Sequence, residues 1–321
     1  MKIKILGTES LGVRGLCCSV EIKDRKILID AGIALGWSRY GLLPHPFQVI
    51  VGAQIRETII ADLKQATDVV FSHFDGDHIP LANANPFQLS LDAVKAHLAN
   101  HQIWAKSAEH ASETETSRRD ALERIINKEL PGAENKTEGA LSFSSPVVHG
   151  LRSTKTVSVM MTRIKEDGLT FVHASDIQLL NEDAVDVIMS WKPDLVFTSG
   201  PPLYLGVISD DQRRIAEQIA LRLARNVGTL IIDHHLLRTE EGIIWLKKIA
   251  SGAGTRVICA ADYMQREPLL LEAWRKDLYR WIPVPNHWHD DYKKGHADLN
   301  YYQKMGWEVL IKMGKIKNTC R

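Results

Sequence analysis

The segment FSHFDGDHIP, residues 71–80, has four titratable side chains within six positions. They are His73, Asp75, Asp77 and His78. In an extended segment alternate positions face one side, so the first three can converge, and a turn at Gly76 lets the fourth join them. Such a concentration of carboxylates and imidazoles is electrostatically costly without a cation between them. The segment therefore predicts a metal site, with a solvated surface loop as the alternative.

Three later apolar stretches also end in residues that can bind metal. These are SSPVVH, ending at His149, LTFVHASD, ending at Asp176, and TLIIDHH, ending at His234 and His235. The full set is too large for one tetrahedral ion but suits two ions bridged by a carboxylate. Successive strand residues face opposite sides, so only one of the last two histidines should point inward, and we prefer His235.

Apolar periodicity indicates the elements that position these residues. KIKIL, CCSVEI and KILIDAG alternate with turn residues, which predicts three short strands in a meander with Asp30 at the end of the third. RETIIADLKQA has helical spacing and leads into the strand TDVVFSH. The second half alternates strands and helices, and its polar residues gather where strands end. We therefore expect one α/β domain over residues 1–321.

Two segments interrupt this pattern. Residues 83–141 are highly charged and predict a helical insertion, which either forms a lid over the site or covers one face of a sheet. Residues 268–321 are rich in Trp, Tyr and Lys, and predict a C-terminal extension that packs on the domain.

The order of the candidate ligands resembles that of the metallo-β-lactamase superfamily. That family has an aspartate closing an early strand, a His-x-His-x-Asp-His segment, then a single His, a single Asp and a final His. The resemblance spans nearly the whole chain, from ILIDAG through HFDGDH, VVHG and HASD to IIDHH. It extends to a largely archaeal group of predicted metal-dependent hydrolases. It implies an αββα four-layer sandwich.

The resemblance also implies a role for each residue. His73 and His149 would bind the first ion, Asp77 and His78 the second, with Asp176 bridging both and His234 or His235 as the last ligand. Asp77 would also orient the attacking water. Asp30 would support the site through hydrogen bonds without binding metal.

Asp75 departs from the family pattern, which has a second histidine there. Exchanging imidazole for a carboxylate oxygen shifts preference from zinc toward iron or manganese. The flavodiiron branch has a glutamate at this place, but Asp75 is one methylene shorter and either binds the ion directly or acts through water. We expect two divalent ions, zinc first, with iron or manganese as alternatives.

Two other residues are candidates beside the site. Tyr204, in FTSGPPLYLG, either offers its phenol to a substrate oxygen or belongs to a stretch whose prolines simply end a strand. His173, three residues before Asp176, lies either next to the metal ligands or in the core.

Composition excludes several classes of protein. The net charge of +1 provides no global attraction for nucleic acid or an anionic membrane, although a local basic groove remains open. Neither a signal peptide nor a run of about 18 apolar residues is present, so we expect a cytoplasmic protein. Cys17, Cys18, Cys259 and Cys320 include no CxxC pair, which favours buried thiols over disulfides or a zinc ribbon.

These observations predict a metal-dependent hydrolase. An anionic phosphoester, either a small molecule or nucleic acid, complements two cations. The sequence contains no GxSxG motif, which would indicate a serine nucleophile, and this agrees with attack by water. A di-iron redox protein and a non-catalytic scaffold of the same fold are the alternatives, although the chain lacks the flavodoxin-like domain of the flavodiiron branch. The sequence also leaves open whether the chain forms a homo-oligomer.

Overall fold

The computed structural model describes residues 1–109, 111–150 and 157–317. Its strands are β1 (Lys2–Gly7), β2 (Cys17–Ile22), β3 (Arg25–Ile29), β4 (Asp68–Phe71), β5 (Gln102–Ala105), β6 (Thr137–Glu138), β7 (Leu141–Val148), β8 (Ser158–Glu166), β9 (Leu169–Ala174), β10 (Leu195–Thr198), β11 (Thr229–Ile232) and β12 (Arg256–Ile258). Its α-helices are α1 (Pro46–Gln65), α2 (Lys95–Leu98), α3 (Glu113–Ile126), α4 (Glu182–Ser190), α5 (Asp210–Ala224), α6 (Glu240–Ala253), α7 (Ala260–Tyr263), α8 (Arg275–Trp281), α9 (Trp288–Lys293) and α10 (Leu299–Lys312).

The strands form two mixed sheets. The first has the order β1-β2-β3-β4-β5, in which β1, β2 and β3 form the predicted antiparallel meander and β4 and β5 continue in parallel. The second has the order β12-β11-β10-β9-β8-β7-β6. Its β9 to β12 are parallel, and β6 to β9 are antiparallel.

The two faces of the first sheet pack against different layers. Ile27, Ile29 and Val70 join the core shared with the second sheet, whereas Leu28 and Val69 point the other way. The second group packs with buried side chains of α1, α3 and α10. Buried residues of α4, α5 and α6 pack with the second sheet. The α/β fold with an αββα four-layer arrangement, predicted from the sequence, is confirmed.

The charged segment over 83–141 is only partly helical. Helix α3 lies in it and buries Leu122 and Ile126 in the core on the helix side of the first sheet, which favours a covering role. Strand β5 also lies in it and extends the first sheet by pairing with β4, so the prediction of a helical insertion is wrong for these four residues. Its four residues, QIWA, are too few for a clear periodic signal.

The C-terminal extension, described as far as residue 317, packs on the domain as predicted. Helix α10 lies against α1, where the Trp307 ring meets that of Phe47 at 5.0 Å between centroids. A Cβ at Gly306 would overlap the Phe47 ring, so glycine permits this close approach.

The structure also shows the environment of the cysteines and the character of the helices. Cys17, Cys18 and Cys259 are buried and unpaired thiols, and Cys320 lies outside the described residues. Within the described residues, every helix is too short or too polar to cross a membrane.

Candidate metal centre

The 73–78 segment leaves the sheet directly after β4 and turns tightly. The amide of His78 donates to the Asp75 carbonyl at 2.9 Å, which closes the turn. Two glycines let other loops pack against its backbone. A Cβ on Gly32 would overlap the backbone of His78, and one on Gly15 would lie 2.7 Å from the Asp77 carbonyl oxygen. Two loops therefore pack closely against the backbone of the segment at Asp77 and His78.

Asp176 lies at the centre of the site, two residues after β9. Its Oδ1 is 3.2 Å from Nε2 of His78 and 3.4 Å from Nε2 of His234. Its Oδ2 is 3.6 Å from Nε2 of His73 and 3.3 Å from Nε2 of His235. Each carboxylate oxygen thus faces two imidazole nitrogens, the arrangement expected of a carboxylate that bridges two ions.

The two aspartates of the 73–78 segment lie on opposite sides of this centre. Oδ2 of Asp75 is 3.8 Å from Nε2 of His73, while its Oδ1 accepts a hydrogen bond from Arg118 at 3.1 Å. Oδ2 of Asp77 is 3.6 Å from Nε2 of His234. Asp75 is 46% exposed, so of the two carboxylates it is the one more open to solvent.

The polar atoms at the centre fit a metal ion. Among the described residues, Nε2 of His73, Nε2 of His78 and Oδ1 of Asp176 are buried and have no hydrogen-bond partner. Buried polar groups of this kind are costly unless something binds them. Four groups of three residues have ligand atoms within 4.8 Å of one another. They are Asp30, His73 and His78; Asp77, His78 and His234; Asp176, His234 and His235; and His73, Asp75 and Asp176. These donors are the imidazoles and carboxylates that zinc, iron and manganese accept.

His149 lies beside the centre but in none of these groups of described residues. Its Nδ1 accepts a hydrogen bond from the Gln178 amide at 3.2 Å. Burial lowers the pKa of His149 to about 4, against the opposing charge of Asp176. The ring is therefore neutral at pH 7, which a metal ligand must be.

His234 and His235 both point toward Asp176, so the prediction that only one faces inward is wrong. The alternation of a strand applies to β11, but the chain leaves the strand conformation before these residues. His234 has φ +29° and His235 is helical, with φ −59° and ψ −35°. His234 is also fully buried and takes part in two of the candidate groups, so the preference for His235 over it is not supported.

Asp30 lies beside two candidate ligands and is held by several hydrogen bonds. Its carboxylate accepts hydrogen bonds from the amide and hydroxyl of Ser72, at 2.9 and 2.8 Å, and from the hydroxyl of Ser175 at 2.5 Å. It also lies 3.0 Å from Nδ1 of His78. Because that contact fixes the proton on Nδ1, Nε2 of His78 is the nitrogen left to bind a metal if one is present. Ser72 lies 2.8 Å from Nδ1 of His73, which leaves the Nε2 of that ring free in the same way.

A buried pair that the sequence did not indicate supports His234. Oε2 of Glu9 is 2.6 Å from Nδ1 of His234, and Oε1 of Glu9 accepts from Nε of Arg238 at 2.8 Å. Arg238 also places a guanidinium nitrogen 3.7 Å from Oδ2 of Asp77. More than 220 residues separate Glu9 from its partners, so the local pattern GTESLG carries no signal of this contact.

The charges of the site follow from burial and from its own pairs. Burial opposes ionisation of Asp176, but His78, His234 and His235 hold the pKa of its carboxyl well below its usual range. Burial would lower the pKa of His78, yet Asp176 and Asp30 raise it. Burial lowers the pKa of His234 well below its usual value. An ionised carboxylate beside a neutral imidazole suits a divalent cation, and His78 must lose a proton when one binds.

Tyr204 and His173, the remaining two candidates, lie in different parts of the structure. The hydroxyl of Tyr204 accepts a hydrogen bond from Arg238 at 3.0 Å. Arg238 also lies near Asp77, so it connects the Tyr204 hydroxyl to that carboxylate. His173 is fully buried in β9, and its Nε2 is 2.8 Å from the Leu16 carbonyl oxygen. Of its two predicted roles, the structure therefore favours the core.

Comparison with known proteins gives close relatives. The chain is 47% identical over 302 residues to the UPF0282 protein of Methanosarcina mazei, a match that covers 94% of this chain and 99% of the relative. It is 32% identical over 291 residues to a UPF0282 protein of Pyrococcus furiosus, covering 88% and 93%. No protein-family model matches.

Solved structures show weaker similarity. An isothiocyanate hydrolase from Delia radicum gut bacteria is 15% identical, with a TM-score of 0.46 and coverage of 80% of this chain and 96% of that one. Tm1679, a metal-dependent hydrolase of the β-lactamase superfamily, is 12% identical, with a TM-score of 0.47 and coverage of 83% and 96%.

Proposed function

The chain belongs to the UPF0282 family of archaeal proteins, and from that premise we propose that it is a metal-dependent hydrolase that uses two divalent ions to cleave a phosphoester. The observation that carries the proposal is the convergence of four imidazole nitrogens on the two carboxylate oxygens of Asp176. A carboxylate whose two oxygens each face imidazole nitrogens can bind one ion with each oxygen.

The ligands divide into two sides. His73 lies near Oδ2 of Asp176 and groups with Asp75, and His149 is close enough for the charges of Asp176 and Asp75 to act on its ring. Asp77, His78 and His234 lie together on the side of Oδ1, and His235 is near Oδ2. Both histidines that end the IIDHH stretch are therefore candidate ligands.

The chain's own residues can position a water molecule and a substrate. When bound, two divalent ions lower the pKa of water and neutralise charge that develops on an attacked phosphoryl group. Burial opposes ionisation of Asp77, but His78 and Arg238 lower the pKa of its carboxyl, so it stays a hydrogen-bond acceptor that can orient the attacking water. Tyr204, held by Arg238, can donate its hydroxyl proton to a substrate oxygen.

Asp75 bears on the identity of the metal. Its carboxylate faces His73 with one oxygen and Arg118 with the other, so a direct metal bond by Oδ2 is compatible with its position. A carboxylate in place of imidazole favours iron or manganese relative to an all-histidine site. We propose zinc as the resident metal, with manganese and iron as the competitors to test.

The test is hydrolysis of bis-p-nitrophenyl phosphate after loading the metal-stripped protein with Zn²⁺, Mn²⁺ or Fe²⁺. At least one metal should restore turnover, and Asp77→Asn should lower kcat by about 100-fold or more, the range seen when a proton-accepting group is lost. Asp92→Asn is the matched control, because Asp92 is an exposed aspartate away from the centre. Turnover that survives both a chelator and Asp77→Asn would contradict the proposal.

A further inference from the structure

An arginine and two tyrosines form a stack next to the candidate metal centre. The guanidinium carbon of Arg39 lies 4.9 Å from the ring centroid of Tyr40 and 5.1 Å from that of Tyr204. Tyr204 in turn accepts the hydrogen bond from Arg238, whose guanidinium lies 3.7 Å from Asp77. The stack therefore links a surface tyrosine, 56% exposed, to a residue of the metal centre.

A short loop presents the outer part of this stack. Residues 36–42, GWSRYGL, carry two exposed aromatic rings on either side of a basic residue, and Trp37 is 48% exposed. Arg39 and Leu42 exchange two backbone hydrogen bonds of 3.0 Å around a two-residue turn. Both turn residues have positive φ, +56° at Tyr40 and +74° at Gly41. Turns of this kind favour Asn or Gly, so an aromatic residue there is held at a cost in free energy, as is common at binding sites.

The base of the loop has an excess of positive charge. The Glu272 carboxylate is shared by three guanidiniums, at 2.5 Å from Arg14, 2.8 Å from Arg275 and 3.8 Å from Arg39. Arg275 also donates to the carbonyls of Gly36 and Leu42, which clamps the two ends of the loop. One carboxylate balances only one of these three cations, so a net positive charge lies beneath the loop. Arg275 is fully buried and Arg39 is 10% exposed, so this charge attracts an anionic ligand to the loop without contacting it through Arg275.

We propose that this aromatic loop binds single-stranded nucleic acid, with unpaired bases stacked on Tyr40 and Trp37 and the backbone leading past Arg39 to the metal centre. The inference rests on the proposed phosphoester hydrolase and names its substrate class. An exposed ring beside a guanidinium, as at Tyr40, is suited to an unpaired base, and the exposed part of Trp37, whose ring lies 5.6 Å from that of Phe87, offers a second surface. The bases of a duplex are already stacked on each other. Two aromatic platforms three positions apart fit a strand better than a single nucleotide.

The experiment is fluorescence anisotropy with a labelled single-stranded oligonucleotide of about ten residues, a length within the usual site size. Phosphorothioate linkages protect it from hydrolysis, and the metal-loaded protein is used. Wild type should bind with an affinity that falls as salt rises. Tyr40→Ala should weaken binding by about 10-fold, and Trp37→Ala should weaken it as well. Tyr40→Phe should stay within about twofold of wild type because it keeps the ring.

Tyr301→Ala is the matched control, since Tyr301 is 48% exposed in α10 and belongs to neither the loop nor the centre. The inference is overturned if wild type does not bind, if Tyr40→Ala and Trp37→Ala bind as wild type does, or if duplex binds as tightly as the single strand. Hydrolysis of bis-p-nitrophenyl phosphate without oligonucleotide binding would contradict this inference alone. Tyr40-dependent binding by a protein that takes up no metal would support it and contradict the proposed function.

Discussion

Two sets of buried histidines in this chain differ in what their rings contact. His45 and His289 each place Nε2 near a backbone carbonyl, of Ile282 at 3.0 Å and of Pro44 at 2.8 Å. His73 and His78 instead direct Nε2 at the carboxylate of Asp176. Both sets are buried, so burial does not distinguish a structural histidine from a candidate ligand.

Convergence distinguishes the two sets more clearly than any single unpaired atom. Nδ1 of His173 also lacks a hydrogen-bond partner among the described residues, yet its other nitrogen is held by the Leu16 carbonyl and it lies in none of the candidate groups. At the centre, several such atoms lie within 4.8 Å of each other. A shared cation would satisfy them together.

The largest expected effect comes from Asp176→Asn, which keeps the shape of the central side chain and removes its charge. Metal affinity and kcat/KM should each fall by more than about 100-fold, because loss of even an outer partner of a ligand costs about 10–100-fold. Metal content after dialysis and turnover of the model phosphodiester measure the two quantities. An unchanged metal content would remove Asp176 from the bridging position.

A paired substitution contrasts the two sets of histidines directly. His78→Ala should lower metal affinity by about 100-fold or more, since it removes a ligand. His45→Ala should leave metal content unchanged and lower the free energy of unfolding by on the order of 2 kcal/mol, because the ring caps α1 and packs in the core.

Isothermal titration with metal and urea unfolding would measure both variants. The comparison breaks down if His45→Ala loses metal while remaining folded, or if His78→Ala binds metal as wild type does.

Asp30→Asn should have an intermediate effect. The substitution keeps the side-chain shape but weakens the contact that orients His78, so metal affinity should fall by about 10–100-fold. The metal dissociation constant, measured by competition with a chelating dye, reports this change. Asp24→Asn is a control on an exposed aspartate. A fall equal to that of Asp176→Asn would indicate that Asp30 binds the metal itself.

The last prediction concerns pH and the structural set. Burial lowers the pKa of His45 to about 4 in the folded protein, below its value of about 6.5 when unfolded. The folded state therefore favours the neutral ring, so its contribution is complete above pH 6.5 and is lost as pH falls toward 4. The slope should be about 1.4 kcal/mol per pH unit in that window. Urea unfolding of wild type and His45→Ala at several pH values should show this extra slope in wild type only, and equal slopes would contradict it.

The residues that converge on Asp176 could be singled out in the sequence because they are chemically distinctive and follow apolar strands. His73, His78 and Asp176 needed only residue type, position and the resemblance. The contacts of Glu9 could not be predicted, since they join segments more than 220 residues apart. The orientation of His234 and His235 depends on where β11 ends, and strand ends are the least certain feature of a sequence pattern.

The same limit applies to the fold. The meander and the α/β alternation follow from hydrophobic period, which long or repeated elements express clearly, whereas the layer arrangement was implied by the family resemblance. Strand β5 was missed because four residues next to a charged helical stretch express no clear period. Its place is set by pairing with β4, a tertiary contact that the local sequence does not contain.

The most direct test of the central claim is the metal content of the purified protein by inductively coupled plasma mass spectrometry, before and after incubation with Zn²⁺, Mn²⁺ and Fe²⁺. Two ions bridged by Asp176 predict a stoichiometry approaching about two per chain for at least one metal, and a marked loss in Asp176→Asn. A folded wild-type protein that takes up none of these metals would contradict the account.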